Sequence, residues 1–240
     1  MHKHIAFAVA IGLTLVACKG EDPEAAARAA AAPVAAQEQA AEAMEKQFDA
    51  AVAASNWRLA KGYGDVLQMD HPGTTAADRV KGKLADVQAK AAAEGEQQRL
   101  EALWSYGDVP APGGRQLSAS IYAEKEVAVD GSGEKPVQLI FRDHPEWGRS
   151  SYLVLKAGDF DCYKGCKLKV TLDGKTYTLP GTRPKTDEAI AMFIDDHKQL
   201  WKLAKTGKQL TIEFPTKQVG KRSATFEVGG LKPAHLPKWN

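Results

Sequence analysis

The sequence predicts an α+β chain: an N-terminal helical hairpin followed by an antiparallel β-sandwich-like domain with one inserted helix. Three observations carry this prediction. Apolar residues recur at spacings of three and four between Ala41 and Ala91. From Trp104 onward, short stretches rich in β-formers alternate with turn signals. Within that part, about Asp196 to Thr206 returns to helical spacing.

In residues 36–54, Ala41, Met44, Phe48 and Val52 fall on one helical face. Ser55 or Asn56 is positioned to cap a second helix, with Leu59, Tyr63, Val66 and Leu67 expected inward. Gly62 and Gly64 weaken that helix. "DHPGTT" at 70–75 reads as a turn, and Thr75 with Asp78 resembles a capping box with Asp in place of Glu. Ala77, Val80, Leu84, Val87 and Ala91 then define an amphipathic helix ending near Gly95. The run from Ala43 to Val80 resembles tetratricopeptide units. It covers at most one and a half of them, whereas such solenoids need three or more, so a plain helical hairpin is favoured.

The β-rich part offers about eight strands: "QLSASIYAE", "PVQLIFRDH", "SYLVLKAGDFDC", "CKLKVTLDG", "KTYTLPG", "EAIAMFID", "KQLTIEF" and "SATFEVGG". Asp173-Gly174 between two β runs is a strong hairpin signal. Sandwich strands bury alternate residues, as Leu168 with Val170 and Ile212 with Phe214 would be. The inserted helix places Leu200 and Leu203 inward and ends at Gly207.

The chain opens "MHKHIAFAVAIGLTLVACKG". Ile5 to Ala17 is a mostly apolar run without charge, shorter than the ~20 residues a bilayer span needs. It suits a secretory signal. Leu15 to Cys18, "LVAC", resembles the lipobox of bacterial lipoproteins. That resemblance implies cleavage before Cys18 and lipidation of its sulfur. It also implies, because Lys19 rather than Asp follows, an outer-membrane anchor with the domain on the periplasmic face. The plainer alternative is an ordinary cleaved signal with Cys18 incidental. The organisation is then signal 1–17, Ala-rich tether 18–35, helical region 36–101 and β-rich domain 102–240. The tether is expected to be part helical and interrupted at Pro33.

Charge is unevenly spread. Residues 18–103 carry 10 Lys/Arg against 14 Asp/Glu, and residues 104–240 carry 21 against 16. A mildly basic C-terminal half favours acidic partners. No nucleic-acid signature is present, and no nucleic-acid partner is expected. With Cys18 assigned to lipid, Cys162 and Cys166 remain. In an oxidising compartment they are expected to pair as a structural disulfide. A redox or metal role is the alternative, but C-x₃-C is not the usual spacing for either.

"WSYGDV", "LVLKAGDFDCYKGCKLKVTLDG", "AMFIDD" and "FEVGGL" resemble a region recurring in uncharacterised proteobacterial envelope proteins. The resemblance covers roughly residues 102–233, with Leu172 where that pattern often has Phe. It implies an envelope location and no assigned activity.

Candidate chemistry is sparse. His144 in "RDHPEW" and His197 in "IDDHKQ" lie beside acids, but no metal-ligand spacing or nucleophile motif accompanies them. No catalytic residue, metal or cofactor is expected. Trp104, Tyr106, Trp147, Tyr152, Tyr163 and Trp201 either pack in the core or line a binding surface. Trp147, between Pro145 and Gly148, is the best surface candidate. Lys198, Lys202 and Lys205 form either a solvated helix face or a contact for an acidic partner. The reading is a lipid-anchored, non-catalytic protein-binding module, in its most specific form an immunity protein that neutralises a secreted antibacterial effector. An envelope assembly factor is the alternative, and an envelope-polymer hydrolase is less favoured.

Overall fold

A computed structural model describes residues 23–186 and 189–239. Cys18 and the segment 1–17 expected to be a signal lie outside the described residues. The chain divides between Ala91 and Ala92 into two compact units. No helix among the described residues is long and apolar enough to cross a membrane.

The first unit is helical. Helix α1 (Pro23–Ala53) buries Ala41, Phe48 and Ala51. It runs through Pro33 without a break, so the expected interruption does not occur. The alanines around Pro33 have the highest helix propensity and carry the helix across the one missing hydrogen bond. Helix α2 (Trp57–Asp70) is capped by Asn56, whose side chain accepts from the Leu59 N–H at 3.2 Å. Its buried face is Ala60, Gly64 and Leu67, with Tyr63 packed beside them. Leu59, expected inward, is 46% exposed. Small residues make the contact face here, and a search for large apolar residues passes over them.

Helix α3 (Thr75–Ala102) buries Ala77, Val80, Leu84 and Val87 as expected. Its cap is Thr74 rather than Thr75: the Thr74 hydroxyl accepts from the Ala77 N–H at 3.2 Å. The acid that completes the cap comes from α1, because Glu38 accepts from the N–H groups of Thr75 and Ala76 at 3.0 and 3.2 Å. A carboxylate there satisfies orphan donors and faces the positive end of the helix. The helix also continues past Gly95 to Ala102, since strong helix formers follow that glycine.

The second unit is built on strands β1 (Trp104–Ala111), β2 (Gly114–Tyr122), β3 (Val127–Ala128), β4 (Glu134–Lys135), β5 (Val137–His144), β6 (Gly148–Leu155), β7 (Cys166–Leu172), β8 (Lys175–Thr182), β9 (Ala191–Ile194), β10 (Gln209–Thr216) and β11 (Gly220–Glu227). All eight predicted stretches become strands, and β1, β3 and β4 add to them. Nine strands form one antiparallel sheet in the order β1-β2-β5-β6-β9-β8-β7-β10-β11, and β3 pairs with β4.

Alternate residues face one core. Leu139 and Phe141, Leu153 and Leu155, Leu168 and Val170, and Ile212 and Phe214 are all buried in a single cluster. The two ends of the sheet approach each other, since the Glu124 N–H just beyond β2 donates to the Thr225 carbonyl of β11 at 2.8 Å. The sheet therefore bends round a shared core, and its halves pack across it in the sandwich-like manner expected.

Asp173 and Gly174 both take positive φ, 46° and 88°, as a two-residue hairpin turn requires. The Asp173 carboxylate accepts from the Gln209 N–H at 2.8 Å, tying this turn to the start of β10. Helix α4 (His197–Thr206) is capped by Asp196 and buries Leu200, Trp201, Leu203 and Ala204. Trp201 and Trp239 meet Phe141 edge-on at 5.1 and 5.5 Å. The last part of α3, from Ala92 onward, belongs to the second unit, and there Gly230 sits so close to it that a Cβ would lie 2.1 Å from the Leu100 carbonyl carbon.

Candidate functional site

Residues of the sheet that face away from the core differ between its halves. On β7, β8 and β10 they are Lys169, Thr171, Thr176, Thr178, Thr211 and Glu213. On β5, β6 and β9 they include Ile140, Arg142, Tyr152, Val154 and Phe193. The apolar half leads into the β5–β6 turn, which carries Trp147.

Trp147 is 68% exposed yet held in place. His144, at the end of β5, lies parallel to it with ring centroids 3.9 Å apart. His144 is only 4% exposed, and its Nδ1 accepts from the backbone N–H groups of Glu146 and Trp147 at 3.2 and 3.3 Å. Those bonds close the turn and orient the imidazole, which in turn supports the indole.

Arg142 is two residues earlier on the same face. Its guanidinium carbon lies 5.4 Å from the Trp147 ring centroid and 5.3 Å from that of Tyr152. Tyr152 in turn meets Phe193 at 5.4 Å. A continuous row thus runs His144, Trp147, Arg142, Tyr152, Phe193. Burial pushes the Tyr152 phenol above its ordinary pKa, and the neighbouring Arg142 charge offsets part of that rise. Ser150 stands directly opposite Arg142 in the β5–β6 register. Beside Ser150 and Phe193 opens a cleft of about 200 Å³, also lined by Arg149, Asp195 and His197.

Lys198, Lys202 and Lys205 are exposed on α4, on the side away from buried Trp201. That helix covers the inner face of the sheet, whereas the Trp147 row lies on the outer face.

Of the other aromatic candidates, Trp104 and Trp201 are buried and Tyr106 stacks on His235 at 4.0 Å, whereas Tyr163 is exposed, with the Arg183 guanidinium 5.7 Å from its ring centroid. Cys162 and Cys166 are joined in a disulfide at the start of β7. In the loop before β7 Asp159 is buried against Arg183 at 2.7 Å, with Lys217 on its other oxygen and the Ala189 N–H donating at 3.0 Å. The Gly-x-Phe-x-Cys stretch thus places one side chain in an ion pair, Phe160 in the core and Cys162 in the disulfide. Among the described residues no three His, Cys, Asp or Glu side chains converge as a metal site would require.

No protein-family model, curated protein or solved structure matches this chain. The site must therefore be read from its own geometry. Arg142, Ser150 and Phe193 were not singled out in the sequence. Each is ordinary in its own strand, and only the pairing of β5 with β6 and of β6 with β9 makes them neighbours.

Proposed function

We propose that this chain is a lipid-anchored envelope protein that works by binding another protein, without catalysis. The observation that supports this best is the fixed, exposed Trp147 on an outer face that continues through Arg142, Tyr152 and Phe193. Trp, Tyr and Arg dominate the energetics of protein interfaces. A pre-ordered indole loses little conformational entropy on binding. Of the groups a hydrolase reading would use, His144 is buried beneath Trp147 and Cys162 is held in a disulfide, whereas His197 lines the cleft beside Ser150 and Asp195.

The specific form proposed is an immunity protein. The lipobox-like Leu15–Cys18 would hold it at the outer membrane, facing the periplasm, where a secreted antibacterial effector would arrive. The test is deletion of the gene followed by exposure to sister cells, with complementation by wild type and by Trp147→Ala. Loss of viability rescued by wild type, and not by Trp147→Ala at equal abundance, supports immunity through this surface. Unimpaired survival of the deletion strain refutes the immunity form.

A second reading, an envelope assembly factor, rests on the helical unit. Met44, Leu59, Tyr63 and Val66 line an apolar recess of about 510 Å³ there. Such a groove suits an amphipathic helix. Isolation of the full chain in a stable envelope complex that withstands Trp147→Ala and fails with Leu59→Asp would favour it.

A further inference from the structure

We infer that Arg142 and Ser150 form a carboxylate-binding site that receives an Asp or Glu side chain of the protein partner, between Trp147 and Tyr152. This rests on the protein-binding reading and adds the chemistry of what is bound.

Hydrogen-bond satisfaction sets Arg142 apart. Every other arginine of the second unit has an acceptor. Arg99 bonds Glu96 and Glu227, Arg115 bonds Asp108, and Arg183 bonds Asp159. Arg149 donates to the Lys238 carbonyl and Arg222 to that of Ala128. Arg142 has only the two aromatic faces, and its Nε is shut off from solvent with no acceptor. The Ser150 hydroxyl, directly across the β5–β6 ladder, is likewise buried and unpaired.

Buried polar groups are nearly always paired, and leaving one unpaired costs about 1–3 kcal/mol. Two such groups side by side, one of them cationic, specify the missing partner: an anionic acceptor with two oxygens. A guanidinium takes a carboxylate through two parallel bonds, and a serine hydroxyl supplies a third donor. The rings on either side hold the guanidinium plane in position, so little order is lost when the carboxylate arrives.

The surroundings select a protein acid over a polyanion. Ile140, Val154 and Phe193 extend an apolar surface from the site. Lipid headgroup surfaces are recognised by clusters of roughly 4–8 cations, whereas here one unpaired arginine sits among rings. An acidic side chain within an apolar patch is complementary to that arrangement.

The test pans a phage library of random dodecapeptides over the full chain in detergent, then measures selected peptides on wild type, Arg142→Gln, Arg142→Lys and Ser150→Ala. Thermal unfolding checks that each variant folds, and Ser150→Ala serves should Arg142→Gln unfold. The expected result is enrichment of Asp or Glu beside apolar residues. Affinity should fall about tenfold or more in Arg142→Gln, less in Ser150→Ala, and be restored only in part by Lys. No enrichment, enrichment without acids, or full affinity in Arg142→Gln overturns the inference. So does Arg142-dependent sedimentation with phosphatidylglycerol vesicles when acidic peptides do not bind. A partner lost in Trp147→Ala but kept in Arg142→Gln would leave the protein-binding reading standing and remove only the carboxylate site.

Discussion

The imidazole of His144 and the indole of Trp147 stack with planes within 10° of each other. The lower ring is buried and the upper one exposed. A buried histidine therefore serves as the base on which a surface tryptophan is presented. Its Nδ1 is occupied by the two N–H groups that form the turn. Aromatic pairs of this kind contribute about 0.5–1.5 kcal/mol beyond their buried area. His144→Ala is expected to leave the sheet folded while releasing Trp147. Near-UV circular dichroism, compared with a Trp147→Phe control, reports this. An unchanged Trp147 signal in His144→Ala would show that the indole is held by other contacts.

The ion pair of Asp159 with Arg183 should dominate the acid limb of stability. Burial alone would raise the Asp159 carboxyl. The Lys217 ammonium, the Ala189 N–H and the Arg183 guanidinium outweigh burial and hold it below the usual carboxylate range. A group depressed in the folded state stabilises fully above its unfolded pKa, and that contribution disappears as pH falls through the folded one. Asp159→Asn should flatten the loss of stability on acidification, measured by denaturant unfolding across the acid range. At neutral pH, Arg183→Met alone should cost about 3–5 kcal/mol by leaving a buried carboxylate uncompensated. Combining it with Asp159→Asn should cost less than the sum. Strict additivity would sink this account.

Reducing the Cys162–Cys166 bond should have a modest effect. The loop it closes is short, so the chain-entropy model assigns it about 2 kcal/mol. For a unit of this size that is a fall in Tm of roughly 4–8 °C. Scanning calorimetry of Cys162→Ala/Cys166→Ala against wild type measures it. Complete unfolding of the double variant would mean that the loop carries far more of the second unit than its length implies.

Gly230 admits no side chain. A Cβ there would meet the backbone of Leu100 and Glu101 at 2.1–2.3 Å, and backbone cannot move aside as a side chain end can. Glu101 also pairs with Lys232 at 2.7 Å, and Tyr106 accepts from the Lys232 N–H, so this contact is anchored on both sides. Gly230→Ala is expected to destabilise by about 3 kcal/mol, at the upper end of overpacking costs. Gly220→Ala is a poor control because of its φ of 71°, whereas Gly95→Ala has open space and should be neutral or stabilising. Urea unfolding of the pair decides whether close approach is the cause.

Trp239 closes the same core from the chain end. It packs against Phe141, Trp201 and His197, while the neighbouring Lys238 carbonyl accepts from Arg149 at 2.7 Å. Trp239→Ala should cost about 3–5 kcal/mol. Loss of less than 1 kcal/mol in equilibrium unfolding would show that these last residues are not part of the core.

What the sequence alone determined is what short-range physics controls. Helical spacing from Ala41 to Ala91, the Asn56 cap, the Asp173-Gly174 turn and eight strand segments depend on residues a few positions apart, and each is legible as such. Where small residues carried the packing, as at Ala60 and Gly64, the spacing rule pointed to the wrong neighbour in Leu59. Where a cap drew its acid from another helix, as Thr74 does from Glu38, the local pattern was displaced by one residue. Tertiary structure alone decided the order of the strands, including the insertion of β9 between β6 and β8. It also decided that Trp201 turns inward while Trp147 turns outward. The row from His144 to Phe193 exists only through that order: backbone pairing between distant segments sets which outward side chains touch, and no periodicity within one strand encodes its neighbour.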